Sequence, residues 1–418
     1  MVKSIVLFLF FPLLLCFAQQ ENQLPEAKPE EVGMSSVRLG KIKPLMQKYV
    51  DEHKLPGMVT MVARHGKIVH YEKYGLMDAD KPMRRDAIFR IASMTKSITS
   101  TAVLILYDEG LLRLDDPVAK YIPEFQNLKV FSSIDKNGIH LVKLKRPITI
   151  RNLLTHTSGL ASGADNTPVD SMYRAANLSA GTLKEMIQKL AAIPLLYQPG
   201  TIWHYSRSTD VLGYLVEAVS GNPFDVFLKE KLFLPLKMKD TGFYVPMENF
   251  NRVGAVYTRN PSGGMDIAMK PEISNVSIPV KFLSGNGGLV STAADYMIFS
   301  QMLLNKGEYN GVRILKSKTV ELMTSNQLSH VTMPDDDFFG PLLDGMGFGL
   351  GVAVVRETHQ SKFTGSIGSY WWAGTANTYF YVDPRKDFIA IFMTQFVPSN
   401  YYPITKEFRE LVYRSIVQ

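Results

Sequence analysis

Apolar residues first gather at the N-terminus, where Ile5 to Leu15 form a run behind Lys3 and Cys16-Phe17-Ala18 end it. The run is short for a bilayer span and polar sequence follows. It therefore predicts a secretory signal over residues 1–18, cleaved after Ala18, and an exported protein, periplasmic or extracellular. Residues 19–31 form a polar, proline-bearing lead-in. Leu39 to Val50 has the apolar spacing of a helix. Gly57–Arg64 and Lys67–Tyr74 read as two strands joined by the two-residue turn His65-Gly66. Phe89 to Ile91 ends an extended segment; a corner of small residues then leads into an apolar helix running through Tyr107. From Ser93 to about Met323 the pattern is mainly helical, with long connections and no repeat period. Gly345–Val355 returns to strand-like sequence. Its glycines at 345, 347, 349 and 351 suit a strand with close neighbours better than a dinucleotide loop, which needs a following helix. Thr378–Val382 and Phe388–Met393 are further strands, separated by the turn Asp383–Asp387, and Ile404–Ile416 is a closing helix.

Strands at both ends with helices between them predict an α+β fold: one antiparallel sheet made from both termini, flanked by helices. A mainly helical lobe (about 93–344) is inserted into an α/β lobe (about 32–92 and 345–418), giving a single catalytic domain over 32–418. The functional site is then expected at the seam. Composition narrows the chemistry. The one cysteine, Cys16, leaves with the signal, which excludes disulfides, thiolate metal sites and a cysteine nucleophile. A chain of this length buries a large core without disulfides. Formal charge is +7, but the basic residues are scattered, which argues for solubility and against nucleic-acid binding. No later stretch has the length of a transmembrane helix, and a monomer is the default. Asn177 and Asn275 head glycosylation sequons that matter only in a glycosylating host.

Three places carry candidate chemistry. Ser93 and Lys96 stand three apart at a helix start and share a face. A serine there lies among free backbone N–H groups, and a lysine one turn on can take its proton if burial or nearby positive charge lowers the lysine pKa. Tyr205, in Trp203-His204-Tyr205-Ser206-Arg207 after the turn Gln198-Pro199-Gly200, is a candidate base or proton relay. Trp372-Ala373-Gly374-Thr375, entering the Thr378–Val382 strand, offers small residues and an exposed N–H suited to an oxyanion hole. Competing signatures are absent: there is no G-x-S-x-G and no H-E-x-x-H, and the eight histidines are dispersed. Asp335-Asp336-Asp337 reads as a solvated loop. Nothing in the pattern asks for a metal or cofactor.

These residues, in this order, resemble the serine β-lactamase and penicillin-binding-protein superfamily, within the class C β-lactamase-like group and nearest the family VIII carboxylesterases. The resemblance spans roughly residues 30–415. Phe89–Ser97 matches the first motif, and Gln198-Pro-Gly200 leading to Tyr205-Ser206 the second. Leu114–Val118 with Tyr121–Phe125, Ile148–Leu160, Ser284–Thr292 and Tyr381–Pro384 support them. The resemblance implies that Ser93 is the acylated nucleophile and that Lys96 and Tyr205 share its proton, with Tyr205 activating the deacylating water. The backbone N–H groups of Ser93 and Thr375 would form the oxyanion hole. Trp372, Ala373 and Gly374 would bind substrate in place of the Lys-Thr-Gly of β-lactamases. That replacement removes a cation that holds substrate carboxylates; Lys362-Phe363-Thr364-Gly365 lies too far before the strand to supply it. Arg207 stands where β-lactamases have asparagine, and it either anchors a substrate carboxylate or pairs with a local acid. The implied function is a secreted serine hydrolase acting on small or medium acyl esters. The alternatives are a D-amino-acid peptidase, amidase or weak β-lactamase, and a binding protein without turnover.

Overall fold

A central sheet joins the two ends of the chain in a computed structural model that describes residues 24–273, 276–328, 331, 345–356 and 364–417. The expected signal at 1–18, the Asp335–Asp337 run, Asn275 and Lys362-Phe363 lie outside the described residues. In the first part of the chain the elements used below are α1 (Ile42–Asp51), β1 (Gly57–Arg64), β2 (Lys67–Asp78), β3 (Lys81–Pro82) and α2 (Thr95–Asp108). Next come α3 (Ser208–Ser220), α4 (Ala293–Leu304), β4 (Met346–Phe348) and β5 (Ala353–Val355). The chain closes with β6 (Tyr370–Ala373), β7 (Tyr379–Asp383), β8 (Phe388–Thr394) and α5 (Ile404–Ser415).

The strand order is β4-β5-β6-β7-β8-β1-β2-β3, antiparallel throughout. The seam between chain ends is β1 against β8, in register from Met58 opposite Thr394 to Arg64 opposite Phe388. Both strands are buried along their whole length because helices cover both faces. Tyr296 of α4 stands 5.1 Å from the Phe380 ring on one face, and Phe408 of α5 stands 6.0 Å from Phe392 on the other. A strand covered on both sides loses the alternation of a half-exposed one, which is why these two read as continuous apolar runs. The Tyr49 hydroxyl on α1 donates to Glu407 on α5 at 2.8 Å and ties the two covering helices together.

Three details depart from the sequence pattern. Gly345–Val355 is a hairpin rather than one strand: β4 and β5 pair around the turn at Gly349–Val352. Its glycines do have close neighbours, since a Cβ on Gly349 would lie 2.1 Å from the Met323 carbonyl oxygen. Trp372 and Ala373 do not lead into the next strand but end β6, and the chain reverses through a turn before β7. The middle of the chain also carries strands that its pattern hides. Lys129–Asp135 pairs with Gly138–Lys143, and Val256–Arg259 pairs with Met265–Met269 and, in parallel, with Phe396–Val397. Most residues of the first pair face solvent, so burial imposed no alternation there. No helix among the described residues is long and apolar enough to cross a membrane.

Gly57 opens β1, where a Cβ would lie 2.4 Å from the Leu76 carbonyl oxygen and 2.5 Å from that of Tyr74. Valine favours strands, yet Gly57→Val is expected to lower stability by about 1–3 kcal/mol, because β2 must move to admit the side chain. Chemical denaturation checks this; an unchanged midpoint would contradict the close approach.

Candidate active site

Ser93 sits in a single 3-10 turn, Ala92–Met94, that feeds directly into α2. The helix proper starts at Thr95, so Ser93 lies just before it and Lys96 in its first turn. Ala92 has φ +43°, a left-handed conformation that costs a non-glycine residue about 1–3 kcal/mol and turns the chain sharply into the nucleophile position. All of α2 from Thr95 to Leu106 is buried. Lys96 is therefore carried into the interior with 1 % exposure. Its Nζ lies 3.1 Å from Ser93 Oγ, donates to the Asn286 carbonyl at 2.6 Å, and stands 4.5 Å above the Tyr205 ring centre. Burial pulls the amine from 10.5 down to about 7, Asp210 pulling up and Arg207 down.

Tyr205 arrives on a segment that runs beside the Thr155–Leu160 block. The Gly200 N–H donates to Thr157 O at 2.7 Å, His204 N–H to His156 O at 2.8 Å, and Arg207 N–H to Ala161 O at 3.1 Å. Burial pushes the Tyr205 phenol well up, against smaller downward pulls from the Ser93 and Trp372 side chains. It remains a phenol at neutral pH. His156, which sequence reasoning left among the dispersed histidines, packs with its ring tilted, 4.8 Å from the Tyr205 ring. Its Nδ1 accepts the Ser206 N–H at 3.3 Å, and burial, with Lys96 and His204 adding to it, drives its pKa well down, so it stays neutral. The only sequence signal for it was its place inside Thr155-His156-Thr157-Ser158-Gly159.

The third wall comes from the sheet. Trp372 is 5.6 Å from Tyr205 and 5.3 Å from Phe348, ring to ring, so this side of the site is an aromatic surface. Gly374 lets the β6–β7 turn lie against Ile91, since a Cβ there would meet the Ile91 carbonyl oxygen at 2.5 Å. The Thr378 hydroxyl donates to the same oxygen at 3.1 Å. That clamp brings Thr375 alongside the Ser93 turn. Neither the Ser93 N–H nor the Thr375 N–H donates to another group among the described residues.

A loop missed as chemistry completes the site. Ser284–Gly288 is pinned to α2 by Thr99 Oγ1, which donates to Gly285 O at 2.8 Å. Asp210, fully buried on α3, pins it from the other side: its Oδ1 accepts the Ser284 hydroxyl at 2.7 Å and the Asn286 N–H at 2.9 Å. Arg207 pairs with Asp210 Oδ2 at 3.1 Å and remains about a quarter exposed, at 27 %. Ser93, Lys96, Tyr205 and the Trp372–Thr375 turn thus meet in one place, and Arg207 reaches it through Asp210. Among the described residues no group of three or more His, Cys, Asp or Glu side chains is placed to hold a metal ion.

A lysine pKa near 7 in the folded state has a stability consequence. The unfolded chain holds the extra proton between about pH 7 and pH 10, so this group's contribution to stability rises with pH across that window. Lys96→Met is expected to stabilise the fold by roughly 1–3 kcal/mol at pH 6, with the gap narrowing toward pH 10. Denaturation at several pH values measures it; a gap independent of pH would rule out the buried amine.

The comparisons show the family and the fold. The family model described as Beta-lactamase matches residues 42–413. Protein Rv1367c of Mycobacterium tuberculosis is 34% identical over 84% of this chain and 88% of its own length. Esterase EstB of Burkholderia gladioli is 30% identical, covering 87% of this chain and 92% of its own. Among solved structures, EstCE1, described as a hydrolase with promiscuous acyltransferase activity, superposes with a TM-score of 0.76 at 26% identity, over 90% of this chain and 99% of its own. The chain belongs to the Beta-lactamase family, within the serine β-lactamase and penicillin-binding-protein superfamily, and has its α+β fold.

Proposed function

We propose that the protein is an exported carboxylesterase that forms an acyl-enzyme on Ser93. The observation that carries this reading is a buried amine, at about pKa 7, placed 3.1 Å from a serine hydroxyl. At neutral pH a large fraction of Lys96 is free base, able to accept the Ser93 proton as Oγ attacks the ester carbonyl carbon. The oxyanion that forms faces the Ser93 and Thr375 N–H groups. Tyr205, held as a phenol, donates its proton to the departing alkoxide and is reprotonated from Lys96. In the second half a water attacks the acyl carbon and gives up its proton through Tyr205 to Lys96. Ser93 then leaves and regains its proton from Lys96. Bond making and breaking balance as ester plus water to acid plus alcohol.

Trp372 supports an ester over a cell-wall peptide or β-lactam substrate. An aromatic wall at Tyr205, Phe348 and Trp372 accommodates an apolar acyl group and offers no cation to a substrate carboxylate. The esterase among the relatives points the same way. Export rests on the apolar run at Ile5–Leu15, and a mature N-terminus at Gln19 in protein from culture would support it.

The test is turnover of a short-chain p-nitrophenyl ester beside a chromogenic cephalosporin, with intact-mass detection of the acyl adduct. Ester turnover should dominate, Ser93→Ala should lower it by roughly 10³-fold or more, and Tyr205→Phe by roughly 10²-fold or more. Dominant cephalosporin turnover would move the reading to the β-lactamase alternative. Full activity in Ser93→Ala would remove Ser93 as nucleophile.

A further inference from the structure

Arg207 is the sequence feature that the esterase reading leaves without a task. Its guanidinium does not stand alone: Asp210, at 0 % exposure, accepts from it and spends its other oxygen on Ser284 and Asn286. Asn286 is therefore held at both ends of its backbone. Its N–H donates to Asp210, and its carbonyl accepts from Lys96 at 2.6 Å. Gly285 is squeezed between α2 and α3, where a Cβ would lie 2.4 Å from the Thr209 carbonyl oxygen, so the loop has little room to shift.

We propose that Arg207 and Asp210 act together as positioning residues for Lys96: Asp210 fixes the loop that holds the amine, and Arg207 cancels the charge of that acid so the amine can stay unprotonated. The inference rests on the reading of Lys96 as the base for Ser93.

The charge argument follows from what faces Lys96. Ser93 precedes it on the same turn, Tyr205 and His156 come from the two adjacent segments, Asn286 from the loop, and Arg207 and Asp210 from the start of α3. Tyr205 stays a phenol and His156 a neutral imidazole across the pH range of interest. Arg207 and Asp210 are then the charged members of this set. A buried carboxylate next to a lysine favours the ammonium form, whereas a guanidinium disfavours it. Leaving Asp210 unpartnered would raise the protonated fraction of Lys96 near neutral pH and so deplete the base. Arg207 differs in this from the neutral amide it replaces: it serves the base electrostatically, through the acid, without touching the reacting atoms.

The two substitutions should therefore move the acid limb of kcat/KM in opposite directions. With a neutral p-nitrophenyl ester as substrate, Arg207→Gln should shift the limb to higher pH by about half a unit or more, lowering activity near pH 6.5 by roughly threefold and restoring it above pH 8.5. Asp210→Asn should shift the limb to lower pH while lowering the plateau by roughly tenfold as the Asn286 loop loosens. Arg207→Lys keeps the charge and should track the wild type. Limbs that do not move, or that move together, overturn the proposal. So does an Arg207→Gln variant that changes only KM, which would make Arg207 a substrate contact. Should Asp210→Asn fail to fold, the Gln and Lys variants of Arg207 decide the matter between them. Wild-type and Ser93→Ala profiles in the same series separate this proposal from its parent. Retained activity in Ser93→Ala defeats the reading of the base, whereas unshifted limbs with an inactive Ser93→Ala defeat only the role of the pair.

Discussion

Lys96 is carried into the interior by a helix that has no exposed face along its first three turns, and much of the surrounding structure can be understood as accommodating that amine. Desolvation disfavours its charge, and among the described residues no carboxylate touches it directly to restore it. A single backbone carbonyl, that of Asn286, takes one of its N–H bonds. A free amine has two N–H groups and a lone pair, so one donation to Asn286 leaves the lone pair available to the Ser93 hydroxyl 3.1 Å away. An ion pair in the same place would have neutralised the charge at the cost of the chemistry. The buried carboxylate is instead set one residue back, behind the loop, and is itself paired with Arg207.

Close backbone approach is the means by which three distant parts of the chain converge on that amine. Gly285 admits the loop between two helices, Gly374 admits the β6–β7 turn against Ile91, and Gly159 packs against the Tyr197 carbonyl oxygen, with a Cβ contact of 2.0 Å were one present. Each of these contacts would be filled by any larger side chain. The site therefore depends on main-chain geometry as much as on its polar groups, and the N–H groups of Ser93 and Thr375 are part of that geometry.

The aromatic side of the site does different work. Trp203, Tyr205, His156, Phe348 and Trp372 form one connected set of ring contacts at 4.8 to 6.3 Å. Packing of that kind fixes the orientation of the Tyr205 ring without charging it, and it shapes an apolar wall beside it. The buried amine of Lys96 thus lies on one side of Tyr205 and the aromatic wall of Trp372 on another.

Local pattern made much of this legible. Two strand-like runs around a two-residue turn identify the hairpin Gly57–Tyr74, and a corner of small residues before an apolar run identifies the helix after Ser93, because these features depend on neighbours within a few residues. Short motifs singled out Ser93, Lys96, Tyr205 and the Trp372–Thr375 turn, which the fold brings close together, since each motif sets particular side chains in a particular local setting. Local pattern could not show that Asp210 and Asn286 meet 76 residues apart, that His156 packs on Tyr205, or that Trp372 ends one strand rather than entering the next. Nor could it choose between the two tasks open to Arg207. The sequence alone determined which candidate groups are available and the order in which they occur. Their charge states and the path of the loop behind Lys96 were decided only by the tertiary structure, because desolvation and backbone clearance are properties of surfaces that segments far apart in the chain create when they pack together.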